Sequence, residues 1–191
     1  MSKIGKIEKK TDTPYLNFYE VEAHFRDGRV APYYVASRAK SVERLKAVSH
    51  RNDPDGVILY GVYGEQQDKV VLIRQYRYPL GGYVYEFPAG LVEPGEDMLS
   101  AGIREMKEET GLDAGNAEGG YLFTYKRENP GEGDNYFVDV YRFVMDIDDK
   151  DLHLQTEETD GYMFATPDQI REFAEQGIFL HYDSIKQAFE M

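Results

Sequence analysis

The chain has 191 residues, no cysteine, no tryptophan and a formal net charge of −13, from 22 basic and 35 acidic residues. That length suits one domain, or one domain with a short N-terminal extension, and can bury a core without covalent staples. The missing cysteines exclude disulfides, thiolate metal sites and cysteine nucleophiles, the acidity argues against non-specific nucleic-acid binding, and no apolar run nears the roughly 20 residues a membrane helix needs.

The N-terminus, MSKIGKIEKK, is basic with no apolar stretch behind it. This does not read as a secretory signal, and a cytoplasmic location is expected. Residues 1–13 are polar and are expected to be loose. Residues 16–25 and 30–37 alternate as strands do, joined at Asp27-Gly28, a hairpin signal. A polar stretch from Lys40 to Asp55 follows, with a short helix expected over 41–48 and a turn at Asn52-Asp53-Pro54-Asp55-Gly56. The chain is therefore expected to divide into an N-terminal β-element with its connector, residues 1–55, and a main body, residues 56–191.

In the main body, strands are predicted at 57–63, 69–76 and 83–87, and a helix at about 97–110 that stops at Gly111. Further strands are predicted at 119–125, 135–145 and 161–165. Helices are predicted near 167–176, opened by the cap-and-proline pair Thr166-Pro167, and near 182–190. The pattern reads as a mixed sheet with helices packed on it.

The chemistry concentrates in GLVEPGEDMLSAGIREMKEETGL, which starts at Gly90. Glu96 follows Gly90 after five residues, and Arg104-Glu105 follow after seven more, leading into Met106, Lys107, Glu108, Glu109, Thr110, Gly111 and Leu112. At about 100° per residue, Leu99, Ile103 and Met106 form one stripe, expected to pack on a sheet. Glu105 and Glu109 lie one turn apart on another face with Glu108 beside them, an arrangement expected to be exposed. Like charges at that spacing destabilise a helix slightly unless a cation sits among them. Oxygen-only ligands suit magnesium or manganese. Arg104 can pair with Glu108 at i+4 and aim the carboxylates. Before the helix, Gly90 is expected to adopt a conformation that other residues resist, turning backbone carbonyls toward the carboxylates, with Pro94-Gly95 as a further turn.

This run matches the signature of the Nudix hydrolase superfamily at every position. The stretch from Val71 to Leu112, including Arg74-Gln75-Tyr76-Arg77 and Gly82 to Gly90, resembles its ADP-ribose pyrophosphatase branch. The resemblance implies an α/β/α sandwich around a mixed β-sheet and a homodimer with exchanged N-terminal elements. It implies a magnesium- or manganese-dependent hydrolase that splits ADP-ribose, or another nucleoside diphosphate derivative, into AMP and a sugar phosphate. Metal ligands carry over as the Ala89 carbonyl, Glu105 and Glu109, with Glu108 a second carboxylate in the shell and Glu96 a supporting loop glutamate. Arg77 carries over as the arginine that binds substrate phosphate. The branch takes a further catalytic glutamate from a loop after the long strand, and here Glu158 or Glu157 fills that place. These two acids are adjacent, whereas bacterial members can place theirs two residues apart. The branch stacks its base on N-terminal aromatics, for which Tyr33, Tyr34 or Phe18 stands in, with Arg38 nearby. Other nucleotide substrates, and a non-catalytic ligand sensor, are the alternatives. The intact carboxylate set argues against the sensor.

Overall fold

The computed structural model describes residues 2–51, 54–64, 66–93, 95–129, 134–147, 152–154 and 159–189. The chain divides into two compact units, residues 1–52 and 53–191.

The first unit is an antiparallel meander of β1 (Lys3–Lys9), β2 (Asn17–His24) and β3 (Val30–Ser37). The first segment is thus a strand, not the loose tail its polarity suggests. Its sparse apolar residues are placed in register, with Ile4 opposite Ala23 and Ile7 opposite Val21 across a bulge. The ladder of backbone hydrogen bonds supplies what composition lacks, because every strand group paired this way is satisfied whatever its side chain. Asn17 is fully buried and ties down the preceding loop, accepting from the Thr13 amide at 2.9 Å and donating to its carbonyl at 3.2 Å. The expected helix over 41–48 is broken in two: a single turn at Val42–Arg44, then α1 (Lys46–Ser49). Leu45 separates them because its backbone is extended (ψ 136°) while its side chain is buried.

The second unit is built on a mixed sheet. Its strands are β4 (Gly56–Tyr63), β5 (Lys69–Arg77), β6 (Gly82–Glu86), β7 (Ala89–Leu91), β8 (Glu118–Asn129), β9 (Asp134–Val144) and β10 (Thr159–Ala165). The main path runs β10-β5-β4-β9-β8, with β4 and β9 parallel and the other pairs antiparallel. Successive β4 residues point to opposite faces, as strand geometry requires. Val57 and Leu59 join a core with α2 (Met98–Thr110). Ile58, Tyr60 and Val62 join a second core with α3 (Pro167–Glu175) and α4 (Tyr182–Ile185). Apolar residues on both faces explain the unbroken hydrophobic run, and the result is an α/β/α sandwich.

β4 and β5 pair only through Val62–Val70 and Tyr63–Lys69, and then part. The gap is filled by residues 82–91. β6 pairs with β5, the chain crosses at Phe87-Pro88, and β7, which the sequence pattern does not announce, pairs with β4. The Leu59 amide donates to the Pro88 carbonyl at 2.9 Å and fastens the crossing.

Helix α2 is capped by Asp97, whose side chain accepts from the Ser100 amide, and ends at Gly111 in the left-handed region (φ 79°). The stripe it buries differs from the expected one. Ala101, Gly102, Met106, Glu109 and Thr110 are buried, while Leu99 is 40% exposed. Gly102 sets this orientation. A Cβ there would lie 3.2 Å from Val57 Cγ2 and 3.3 Å from Leu59 Cδ1, so the helix rests almost on the strand, and Leu99 turns away. The cap at Thr166 forms a full capping box with Gln169 around Pro167, as the sequence suggests. The last helix is shorter than expected, continuing beyond Ile185 as a tighter turn at Lys186–Phe189.

Overpacking this contact costs about 1–3 kcal/mol. Gly102→Val is therefore expected to lower the thermal midpoint by roughly 2–10 °C for a chain of this size. A midpoint equal to wild type in a thermal melt would show that the helix is not seated on its glycine.

Candidate active site

The parting of β4 and β5 brings residues 86–91 into the sheet beneath α2, with Gly90 turned toward the helix and Phe87 and Ala89 packed in the opposite core. Three consequences follow from named contacts. The Ala89 amide donates to Glu109 Oε2 at 3.0 Å. Gly90 lies directly under Glu105, whose carboxylate occupies the space that any side chain at 90 would need. Glu86 lies opposite Ile73 on β5, where Arg77, further along the same face, reaches it. Gly90 is thus required for its missing Cβ. It is not among the glycines with positive φ, so its expected special backbone conformation is not found. Gly95, in the loop, does have positive φ (91°). Its neighbour Pro94 lies outside the described residues.

Arg104 organises the acids. Its Nε and Nη2 grip both oxygens of Glu96 at 3.1 and 3.0 Å. Nη1 donates to Glu105 and to Glu108 at 2.9 Å each, and Nη2 also to the Leu91 carbonyl at 3.0 Å. Such charge-assisted forks are the strong class of hydrogen bond, and they fix geometry as well as energy. The i+4 pairing with Glu108 is as expected, while the links to Glu96 and Leu91 anchor the loop to the helix. Arg104 accordingly holds the Glu96 carboxyl below its usual range. Among the described residues, no three acidic or imidazole side chains converge on one point as a finished metal cage. The reason lies in the same contacts, since the guanidinium takes up Glu105 and Glu108.

Glu109 is different. The exposed acid expected from the helix wheel is in fact only 8% exposed. Burial pushes its carboxyl up to about 8; the Ala89 amide and Arg77 oppose this, Glu105 and Glu86 add to it, and burial outweighs the relief. Glu105 is also pushed up, by burial first, against the pull of Arg104. A buried carboxylate beside two others, with one backbone amide to satisfy it, is costly unless a cation joins it. The available donors are all oxygens: Glu105, Glu109, Glu108 and backbone carbonyls of the 89–91 turn. They fit a hard divalent ion.

Arg77 is held by Glu86. Its Nε donates to Glu86 Oε2 at 2.9 Å, and a second guanidinium nitrogen donates to the same oxygen. The sequence pattern did not single out Glu86. The available signal was an acid inside an otherwise apolar strand, two residues before a proline, on a face that alternation assigns to the interior. Among the other predicted residues, Phe18, Tyr33, Tyr34 and Arg38 all lie on the first unit. Phe18 and Tyr34 share one face as diagonal neighbours, and Tyr33 faces the opposite side. All three aromatics are exposed, at 49%, 62% and 59%. Glu157 and Glu158 lie outside the described residues.

A family model for the NUDIX domain matches residues 53–186, and the chain belongs to that family. It is 49% identical over 49 residues to an ADP-sugar pyrophosphatase of Mus musculus, a stretch covering 26% of this chain and 22% of that protein. It is 50% identical over 44 residues to an ADP-ribose pyrophosphatase of Saccharomyces cerevisiae, covering 23% and 19%. The matched stretches thus span less than a quarter of either relative. A solved ADP compounds hydrolase shares the fold at a TM-score of 0.64 with 18% identity, over 97% of this chain and 89% of the other.

The position of Glu109 has a consequence for pH. A carboxyl raised from 4.5 to about 8 binds its proton more tightly in the folded state. Its contribution to stability is fully present below pH 4.5 and is lost as pH rises through about 8. In metal-free buffer, the wild-type midpoint is expected to fall across that window, and the fall should be smaller in Glu109→Gln. Superimposable pH profiles of thermal unfolding would contradict the burial of this acid.

Proposed function

We propose that the chain hydrolyses the pyrophosphate bond of ADP-ribose, or of a related nucleoside diphosphate sugar, to AMP and a sugar phosphate. The observation that carries this reading is the arrangement of Glu105 and Glu109 over the Ala89-Gly90 turn, with Arg104 binding loop and helix together. The names of the two pyrophosphatase relatives support the substrate class.

In this reading, Glu105, Glu109 and the Ala89 carbonyl hold magnesium or manganese, with Glu108 as a further carboxylate and Glu96 in support. A divalent ion held there would supply positive charge to neutralise the pyrophosphate and to lower the pKa of water. Arg77 exchanges Glu86 for a substrate phosphate and so orients the phosphorus. Water oxygen attacks that phosphorus, the bridging P–O bond breaks, and Glu158 or Glu157 accepts the proton of the water. Base recognition falls to Phe18, Tyr33 or Tyr34 with Arg38, contributed through a homodimer in the cytoplasm. Among the described residues, no helix is long and apolar enough to cross a membrane.

Two experiments test this. ADP-ribose should yield phosphomonoester products with magnesium or manganese and none with EDTA. Glu109→Gln should lower turnover by roughly two or more orders of magnitude, and Glu158→Gln should lower it at least about tenfold more than Glu157→Gln. Full turnover in metal-free buffer, or an active Glu109→Gln enzyme, would overturn the mechanism. For assembly, sedimentation at micromolar concentration should give a dimer in which residues 14–38 complete the partner's site. A fully active monomer would exclude that arrangement.

A further inference from the structure

On β5, the face turned toward α2 changes character partway along. Val71 and Ile73 are buried and apolar, and then Gln75 and Arg77 follow. Gln75 is 7% exposed. Its register partner on β10 is Thr159, 2% exposed, whose Oγ1 is buried with no hydrogen-bond partner. Residues directly opposite in an antiparallel pair share a face, with Cβ atoms about 4.5–5.5 Å apart. On the other side, Gln75 faces Val84 of β6, which is apolar and buried. Two polar side chains, one of them with an unpartnered buried hydroxyl, therefore lie side by side on the face that also carries Arg77 and Glu86.

The register also explains why they are covered. Arg77 is opposite Gly82, while Glu86 is opposite Ile73. To reach Glu86, the Arg77 side chain must lie back along the strand, over the Gln75–Val84 pair. The Arg77–Glu86 ion pair is thus a cover over Gln75.

An unpaired buried hydroxyl is destabilising, and an apolar residue of the same shape, Val in place of Thr159, would remove that penalty. A hydroxyl left unsatisfied beside a phosphate-type arginine, with a glutamine amide next to it, calls for a ligand that completes it. Their donors, an amide N–H and a hydroxyl, are neutral. They complement an anionic oxygen without competing with Arg77 for its charge. A phosphate that draws Arg77 off Glu86 would uncover both.

We propose that Gln75 and Thr159 form a neutral hydrogen-bonding subsite, donating to a non-bridging oxygen of the substrate phosphate that Arg77 holds. This rests on the pyrophosphatase reading given above. It adds two specificity-determining residues on β5 and β10, separate from the acids of α2.

The test uses the full chain with Gln75→Met, Thr159→Val and Gln75→Glu, assayed with ADP-ribose and magnesium and by calorimetric binding of its α,β-methylene analogue. Thr159→Val should keep or raise the thermal midpoint, because it removes an unsatisfied group. Gln75→Met and Thr159→Val should each weaken analogue binding and raise KM about tenfold, with kcat changed much less. Gln75→Glu keeps the shape but meets the phosphate with a like charge, and should weaken binding further than Gln75→Met. If wild type neither binds the analogue nor turns over ADP-ribose, the functional reading fails first. If wild type does both and all three variants match it in KM and affinity, the subsite is refuted. A fall in midpoint for Thr159→Val would also refute it, by showing that its hydroxyl is satisfied within the fold.

Discussion

The parting of β4 and β5 is the constraint on which the site depends. Two strands that pair over only two residue positions leave a row of backbone groups without partners, and such groups cannot stay buried and unpaired. The segment 82–91 answers both strands in turn, first as β6 and then as β7. Because it must cross from one to the other at Phe87-Pro88, the backbone on either side is fixed beneath α2, with the Ala89 amide reaching Glu109. Glu86 and Ala89-Gly90 come to the acids of the helix as a consequence of sheet hydrogen bonding.

Electrostatics then acts on a geometry already set. Arg104 neutralises the half of the acid cluster nearest the loop, and Glu96, Glu105 and Glu108 lean on it together. Glu109 is left on the other side, buried, with an amide and the more distant Arg77 as its relief. The protein therefore carries one well-compensated set of acids and one poorly compensated acid. That asymmetry is the physical content of a site whose donors suit a cation. The exposed face of a helix could not create it, since water would screen Glu109 as it screens any surface carboxylate.

Much of this was legible in the sequence. The spacing from Gly90 to Leu112 located the acids and their arginine, and the alternating and continuous apolar runs located most strands and the sandwich. What escaped has identifiable causes. β1 was hidden because a strand at the edge of a small meander needs partners more than apolar residues. The buried stripe of α2 was misplaced because the helix wheel weighs Leu99 as strongly apolar and Gly102 as nothing, whereas close approach makes the glycine decisive. For the same reason the wheel leaves Glu109 exposed. A wheel shows which residues share a face, but not how near the neighbouring strand lies. β7, Glu86 and Gln75 depend on which strand pairs with which, and one sequence does not display that.

Glycines also set the accuracy with which this site can be built. At Gly102 the helix meets Val57 and Leu59 with no side chain of its own, and at Gly90 the Glu105 carboxylate lies on bare backbone. Met106 rests in the same way over Gly61, its Cε 3.1 Å from where a Cβ would stand. A helix carried on leucines can slide or tilt as their rotamers exchange, since long side chains act as soft spacers. Here one of the two layers of spacers is missing at each contact, the helix's own at Gly102 and the strand's at Gly61, so helix and strand stand closer than facing side chains would allow. Fewer rotamers then intervene between the sheet and the acids, and thermal rearrangement of the surrounding core has less leverage over their positions.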